Sequence, residues 1–502
     1  HVSGKSFTDE NNNVKSKHQM AGFPLVALEK YIQVLIRNGY TIVVIDQEDV
    51  GKKQMKRSVK KVISPGTNID YWEHVDSNWT LCIYIDVIGG KQIFVGLSLC
   101  DITTGETKVF EVYSHVNDKM ASMDEVYRFI QIHCPSEIII YADNLDTMTD
   151  DEIISYFEIE HKIYHIKRHV NKEFLNPAYQ KQLLQKIYKN QTMLTVIDYL
   201  GLDRCQYALN SFILLLNFMY EHDETIIYKL EKPYLWKDNK HLILTNDSIH
   251  QLNLVADKNL TIRHKNDSLL NILNKTSTPM GKRYLRKQLL NPLIDADEIN
   301  KRYDLIGCLT ENNKYKEYED MLKYIPDIER LHRKLCIKKI QPYEFVSLHL
   351  AYKKILSITE LCIRDNIHFF SEYTNVPKEL QDYMDEYSQY FDISQMGKTY
   401  CNLNITHCFF KEGIYSSIDE INKKLKGYNT FFDSIVTSFN NLCNYTDNNI
   451  IKKEHNEKDG IFFTTTKTRH KLINESLNKL KSKYNGNGTS EDNQSIIPVD
   501  ID

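Results

Sequence analysis

The sequence predicts a multidomain chain in which α/β parts come first and an all-α part follows, and three observations carry that prediction. Its 502 residues call for several domains at the usual domain size. Short β-branched runs broken by Gly turns crowd the chain as far as Tyr141, and helical spacing of apolar residues takes over from about Ala208. A hydrophobic share of 42% beside 26% charged residues is enough for large cores in a water-soluble protein.

Taken in order, residues 1–19 are polar and begin without an initiator Met, as a piece of a longer protein would. Leu25, Leu28, Ile32 and Leu35 fall on one helical face. Gly39 follows as the C-terminal cap, and Thr41 to Ile45 is a β-branched strand. Tyr71 to Asn78 has the composition of a linker. Thr80–Ile88, Lys91–Asp101 and Glu106–Tyr113 are three strands joined at Gly89-Gly90 and Thr104-Gly105. A helix around Met123–His133 stops before Pro135, and Glu137–Tyr141 is a further strand. Ser211–His222 is strongly apolar.

The stretch Asp267–Leu309 is two helices joined by an elbow. Thr278 is an N-cap with Pro279 at the first helical position. Met280, Tyr284, Leu285 and Leu289 then form the apolar side, and Lys282, Arg283, Arg286 and Lys287 the polar side. Asn291-Pro292 ends the helix, and Asp295 with Glu298 restarts one. Long amphipathic helices continue through about Ser371, with another around Glu379–Tyr390. Tyr484 to Asn493 is rich in Gly, Asn and Ser and is expected to be mobile. There is no internal repeat.

The bulk properties exclude several classes. A net charge of −4 rules out a globally basic nucleic-acid binder, so any such surface is local. The ten cysteines form no C-x-x-C pair, which suits reduced thiols in an intracellular protein. Cys401 and Cys408 flank His407, but no second pair completes a zinc site. The longest apolar run, around Phe212 to Tyr220, is far short of a membrane span.

Several phrases then carry a resemblance. T-x-T-P-M-G-x-R-x-L (Thr276 to Leu285), followed by Asn291-Pro292-Leu293, resembles the entrance to the core and lever of the MutS mismatch-repair family. M-A-G-x-P-x-x-A-x-x-Y, with G-Y and Gln47 beyond it, is similar to the second half of that family's mismatch-binding domain. Met55 to Thr67 resembles its strand and exit turn, with Ser64-Pro65-Gly66-Thr67 as the turn. Asp101-Ile-Thr-Thr-Gly-Glu106 resembles a phrase of the family's ribonuclease-H-like connector. Ile325-Pro-Asp-Ile-Glu-Arg-Leu331 resembles one in the lever helices. Gly413–Leu425 resembles the passage from lever to clamp, and Gly460–Leu472 the clamp's β-hairpin. All stand in family order.

The resemblance implies a partial mismatch-binding α/β domain at 1–70 and a ribonuclease-H-like connector at 76–203. A long helical core and lever follow at 204–420, then a small β/α clamp at 421–485 and a flexible polar tail at 486–502. The wording of Ile325–Leu335 resembles MutS relatives of large DNA viruses. The chain contains no G-x-x-x-x-G-K-[ST] phosphate loop. This chain is therefore expected to have no catalytic residue, cofactor or metal of its own. ATP and Mg belong to the ATPase domain of a full-length family member, which is expected to be an ATPase. The family's F-x-E mismatch-reading phrase would lie upstream of Met20, and Phe7-Thr8-Asp9 does not fit it.

Two local basic clusters are the candidate DNA contacts. Lys52, Lys53, Lys56, Arg57, Lys60 and Lys61 lie in a segment with no acid. Lys467, Arg469, Lys471, Lys479, Lys481 and Lys483 are opposed only by Glu475, and the first of them are expected at a hairpin tip. The resemblance implies a DNA-binding part that encircles and kinks duplex DNA to sense mismatches or loops, coupled in full length to ATP binding and hydrolysis. It also implies a MutS-type homodimer in full length, with downstream repair proteins as possible connector partners and no membrane. The compartment would be cytoplasm or nucleoid, the nucleus in a eukaryote, or a viral factory. The alternatives are a clamp for branched or junction DNA, or a scaffold that docks repair partners without sensing DNA. A nuclease reading would use Asp86 and Asp101, on neighbouring strands, as metal ligands.

Overall fold

The computed structural model describes residues 2–8, 14–21, 23, 27–49, 55–69, 77–89, 92–115, 118–145, 147–188, 193–236, 241–242, 244, 246–256, 266–365, 367, 375–398, 408–444, 449–456 and 460–484. It divides into two compact units, His1–Asp382 and Tyr383–Asp502.

The first unit opens on an antiparallel pair, β1 (Val2–Thr8) and β2 (Val14–Ala21). Helix α1 (Leu28–Arg37) follows, closed by Gly39 at φ +80, and then the ribbon of β3 (Ile42–Asp49) and β4 (Met55–Ile63). Of the expected α1 face, Ile32 is buried and Leu35 is exposed, while Leu25 lies outside the described residues.

A sheet of six strands forms the centre of this unit. Strands β5 (Trp79–Ile88), β6 (Gln92–Asp101) and β7 (Thr107–Tyr113) make an antiparallel meander. Helix α2 (Ala121–His133) leads to β8 (Glu137–Asp143), which pairs parallel with β5. Helix α3 (Asp150–Phe157) leads to β9 (Ile163–Lys167), parallel with β8. The β-β-β-α-β succession read from the sequence is thus present.

Both faces of the sheet are covered. Alternate residues of β5 point to opposite sides. Leu81, Ile83 and Ile85 join α2 and α3 in one cluster. Cys82 and Tyr84 join α4 (Pro177–Ile187), α5 (Val196–Leu200) and α6 (Gln206–His222) in the other. Near-continuous apolar strands such as Ile138–Ile140 are what burial on two faces requires.

Helix α6 corrects an expected boundary. The expected helical domain begins at residue 204, yet α6 packs on β5, β6 and β7. A Cβ at Gly96 would stand 1.9 Å from the carbonyl oxygen of Tyr207, so only glycine lets the helix approach this closely. Glu111 accepts from the Tyr207 and Ala208 N–H groups at 2.7 and 3.1 Å, capping α6 from the sheet. Strand β10 (Tyr234–Leu235) then adds to the edge at β7. An apolar helix carries no sign of which core it belongs to, which is why position alone misplaced it.

Beyond the sheet come α7 (Asn246–Gln251), α8 (Leu269–Leu273), α9 (Pro279–Leu290), α10 (Ala296–Thr310), α11 (Tyr315–Leu322), α12 (Ile328–Cys336) and α13 (Pro342–Arg364). The elbow forms as read. The Thr278 hydroxyl accepts from Gly281 N–H at 3.0 Å, and Asp295 accepts from the Asp297 and Glu298 N–H groups. The apolar face of α9 differs. Leu285 and Leu289 are half-buried and Tyr284 is exposed, whereas Leu290 is buried against Ile249 and Leu254. Arg283, on the expected polar side, is instead largely buried in an ion pair.

The second unit takes up the end of α14 (Val376–Tyr390), the short α15 (Ile393–Met396) and the 27-residue α16 (Ser416–Leu442). The expected 420/421 boundary falls inside α16, which is continuous there. Strands β11 (Lys452–Asn456) and β12 (Gly460–Thr464) pair antiparallel and are followed by α17 (Lys467–Tyr484). Ile450, Ile451 and Ile473 form the core, with Ile435, Phe439 and Phe463 against them.

Candidate nucleic-acid interface

The first basic cluster falls on β4, with Lys52 and Lys53 outside the described residues. Lys56 and Arg57 are exposed; Lys61 is half-buried. Between Val44 and Ile45 the register slips, so Lys60 is the extra residue of a bulge, and its ammonium reaches Asp46 at 2.7 Å. The Lys60 ammonium and the Gln47 N–H together hold the Asp46 carboxyl below its usual range. The segment itself has no acid, but its partner strand supplies Asp46, Glu48 and Asp49. The ribbon is therefore less positive than its own sequence indicated.

The second cluster sits on a helix, which corrects the expected hairpin tip. The hairpin is β11–β12, and α17 begins at Lys467 with Thr466 ahead of it, whose hydroxyl accepts from Arg469 N–H at 3.4 Å. Ile473 and Leu477, one turn apart, pack on the core, and no Gly or Pro interrupts the helix. At 100° per residue, Lys467, Lys471, Glu475 and Lys479 run along the opposite side in an i, i+4 row. All four are exposed, as is Lys481. Arg469 is half-buried beside the core-facing stripe and donates to the Asn449 carbonyl at 3.2 Å. Lys483 lies on α17, and its side chain is outside the described residues. The sequence reading overlooked Lys452, exposed on β11; its neighbours Glu454 and His455 made that run look neutral. Lys453 is held by Asn429 and Asp433 at 3.1 and 3.0 Å.

Two polar joints position the first unit's parts. Glu137, fully buried at the start of β8, accepts from Ser64 Oγ at 2.6 Å and Gly66 N–H at 3.0 Å, with His165 Nε2 at 2.8 Å. Thr80 Oγ1 donates to the Gly66 carbonyl at 3.0 Å. The Ser64–Thr67 turn is thereby fixed to the sheet. A Cβ on Gly66 would lie 2.4 Å from Thr80 Oγ1. At the second joint, Arg283 makes a bidentate pair with Asp327 at 2.6 and 2.8 Å and also reaches Glu329 at 2.5 Å. Burial opposes the guanidinium's charge, but the two carboxylates outweigh it and raise its pKa. This pair ties the phrase at Thr276–Leu285 to the one at Ile325–Leu331.

The family models for MutS domain I and MutS domain III match residues 2–71 and 247–483. Together these ranges cover more than half of the chain. A putative DNA mismatch repair protein, mutS homolog L359 of Acanthamoeba polyphaga mimivirus, is 33% identical over 93% of this chain and 44% of its own length. The DNA mismatch repair protein MutS of Caldanaerobacter subterraneus subsp. tengcongensis is 28% identical over 75% of this chain and 41% of its own. That of Clostridioides difficile is 28% identical over 75% and 37%. The chain belongs to the MutS family. It spans less than half the length of these relatives.

The six-stranded sheet of this MutS-family chain lies between the two matched ranges. The nuclease reading fails there on geometry. Asp101 pairs in register with Trp79, and Asp86 with Phe94, at the other end of β5. Seven residues of strand separate the two positions by roughly 23 Å, too far to share an ion. Asp101 is also buried and committed: Oδ1 accepts from the Thr103 N–H and hydroxyl at 2.9 and 2.6 Å, and Oδ2 from Asn78 N–H at 3.0 Å. Among the described residues no group of three or more His, Cys, Asp or Glu side chains could hold a metal. Cys401 and His407 lie outside the described residues. No described helix is long and apolar enough to cross a membrane.

Proposed function

We propose that this chain is the DNA-gripping part of a MutS-type mismatch repair protein, with the sheet body as its connector and the second unit carrying its clamp. The observation that carries this reading is the exposed lysine row of α17 within a chain matched by MutS domains I and III. Phosphate contacts need cations and little side-chain precision, and such a row supplies them. Discrimination would come from the lower cost of kinking a mismatched or looped duplex, so bases need not be read by these lysines. In the full-length protein, dimerisation and ATP with Mg would open and close the grip, provided the two nucleotide states differ in their affinity for DNA.

The test is fluorescence anisotropy with paired, mismatched and four-way-junction DNA across a salt series. K467A/K471A/K479A should weaken binding to paired and mismatched duplex alike. The slope of log K against log salt should become shallower by about two to three. Unchanged affinity and slope would leave the row a solvated face and the chain a scaffold. A preference for junctions over mismatches would favour the branched-DNA alternative.

A further inference from the structure

Arg333 lies on α12, outside the sheet body, yet it is 2% exposed and all four of its hydrogen bonds go to backbone carbonyls of that body. Nε donates to Ile102 at 3.2 Å, Nη1 to Tyr228 and Lys229 at 2.7 and 3.0 Å, and Nη2 to Ile226 at 2.5 Å. The acceptors come from two segments. One is the turn after β6, and the other is the stretch following α6. These two walls are joined to each other without Arg333: Glu231 N–H donates to the Gly105 carbonyl at 2.9 Å, and Thr107 Oγ1 and Tyr188 OH donate to the Glu231 carbonyl. The socket thus belongs to the sheet body, and the arginine is an insert from another element.

Two backbone features are shaped to receive it. Gly105 sits at φ +88, and a Cβ there would stand 3.2 Å from Arg333 Cδ, so glycine leaves room for the stem. Lys229 adopts φ +52, a left-handed conformation unusual for lysine, and its carbonyl is one of the four acceptors. A planar guanidinium with five donors can satisfy four converging carbonyls, whereas an ammonium, with three, cannot.

We propose that Arg333 is a positioning residue that locks α12, and the helices packed with it, at a fixed angle on the sheet body. Among the other attachments of α12 and its exit are Ile337, buried in the sheet's core cluster, and Lys339 paired with Asp223 at 2.7 Å. Without Arg333 these remain as a pivot, so the joint swivels and does not come apart.

The experiment places spectroscopic labels through an unnatural amino acid at exposed Asp151 on α3 and Glu360 on α13, leaving the native cysteines untouched. Pulsed dipolar distances are compared among the parent, R333K and R333M, with amide exchange read in parallel. R333M should broaden the distance distribution, with R333K between it and the parent. Exchange of the Thr104 and Gly105 amides should accelerate by about tenfold or more, as the loss of charge-assisted bonds implies, while β5 and β8 keep their protection. A superimposable distribution in R333M overturns the proposal. Loss of β5 and β8 protection overturns it as well, because Arg333 would then be part of the core. Should R333M fail to fold, R333K is judged by the same two readouts. The result does not depend on DNA binding, so it stands or falls apart from the proposed function.

Discussion

Replacing Arg283 by Met should destabilise the α9–α12 joint by about 3–5 kcal/mol, the usual cost of leaving one member of a buried ion pair alone. The structure sets where in that range the value falls. Arg283 and Asp327 are only 9% and 7% exposed, so water cannot replace the lost partner at the carboxylate. Asp327 keeps the Arg330 N–H at 3.4 Å and Arg330 Nε at 3.6 Å, weak contacts that recover a part. Glu329 is 53% exposed and contributes little, which points to the lower half of the range. E329Q should therefore cost about 1 kcal/mol or less. R283M/D327N should cost less than R283M alone, because asparagine still caps α12 and the buried carboxylate is gone, at the expense only of the weak 3.6 Å contact to Arg330. Native-state amide exchange of α9 and α12 measures all three variants in place. Equal costs for R283M and E329Q, or a cost below about 1 kcal/mol for R283M, would refute the reasoning.

Two further outcomes follow from burial and from charge. Leu290→Ala should cost about 2–3 kcal/mol in denaturant unfolding and half-buried Leu285→Ala clearly less; the reverse order would mean the other face of α9 is buried. Burial alone would raise Asp223, but Lys339 and Thr225 outweigh it and hold its folded pKa below 3.8. Its contribution is therefore complete above pH 3.8 and lost as pH falls through the lower folded value; a carboxyl titration by NMR at or above 3.8 would contradict this.

Local chemistry was legible in the sequence wherever one short segment sufficed. Thr278 and Asp295 cap the helices they precede, Gly39 closes α1, and the Gly-broken β-branched runs became β5, β6 and β7. What escaped involved partners far apart in the chain. The sequence places Arg283 on the polar side of α9, and nothing near it reveals its partner Asp327, 44 residues on. Lys467–Lys471 is expected at a hairpin tip because the Gly460–Thr464 strand is followed by no turn residue, and the helix declares itself only through Ile473 and Leu477 further along. The β1–β2 pair lacks the apolar alternation by which a half-buried strand is recognised, so polar residues 1–19 gave no signal. For the lysines of α17, exposure could be read from composition, but the single row they form required the helix.

The Arg333 socket also bears on how the chain is made. Its acceptors at Ile102 and Ile226 precede the arginine by 231 and 107 residues. At ordinary rates of synthesis the later of these segments leaves the ribosome about 5–20 s before Arg333 does. All the sheet's strands but the short β10 precede Ile226, and β10 follows within nine residues, so the sheet body can fold during that interval while its four carbonyls face water. Lys229 must meanwhile either wait in an unfavourable backbone conformation or adopt it only when the arginine arrives. A nascent chain stalled just short of α12 would carry a finished sheet with an open socket, and that species is the one on which a folding factor or a protease would act.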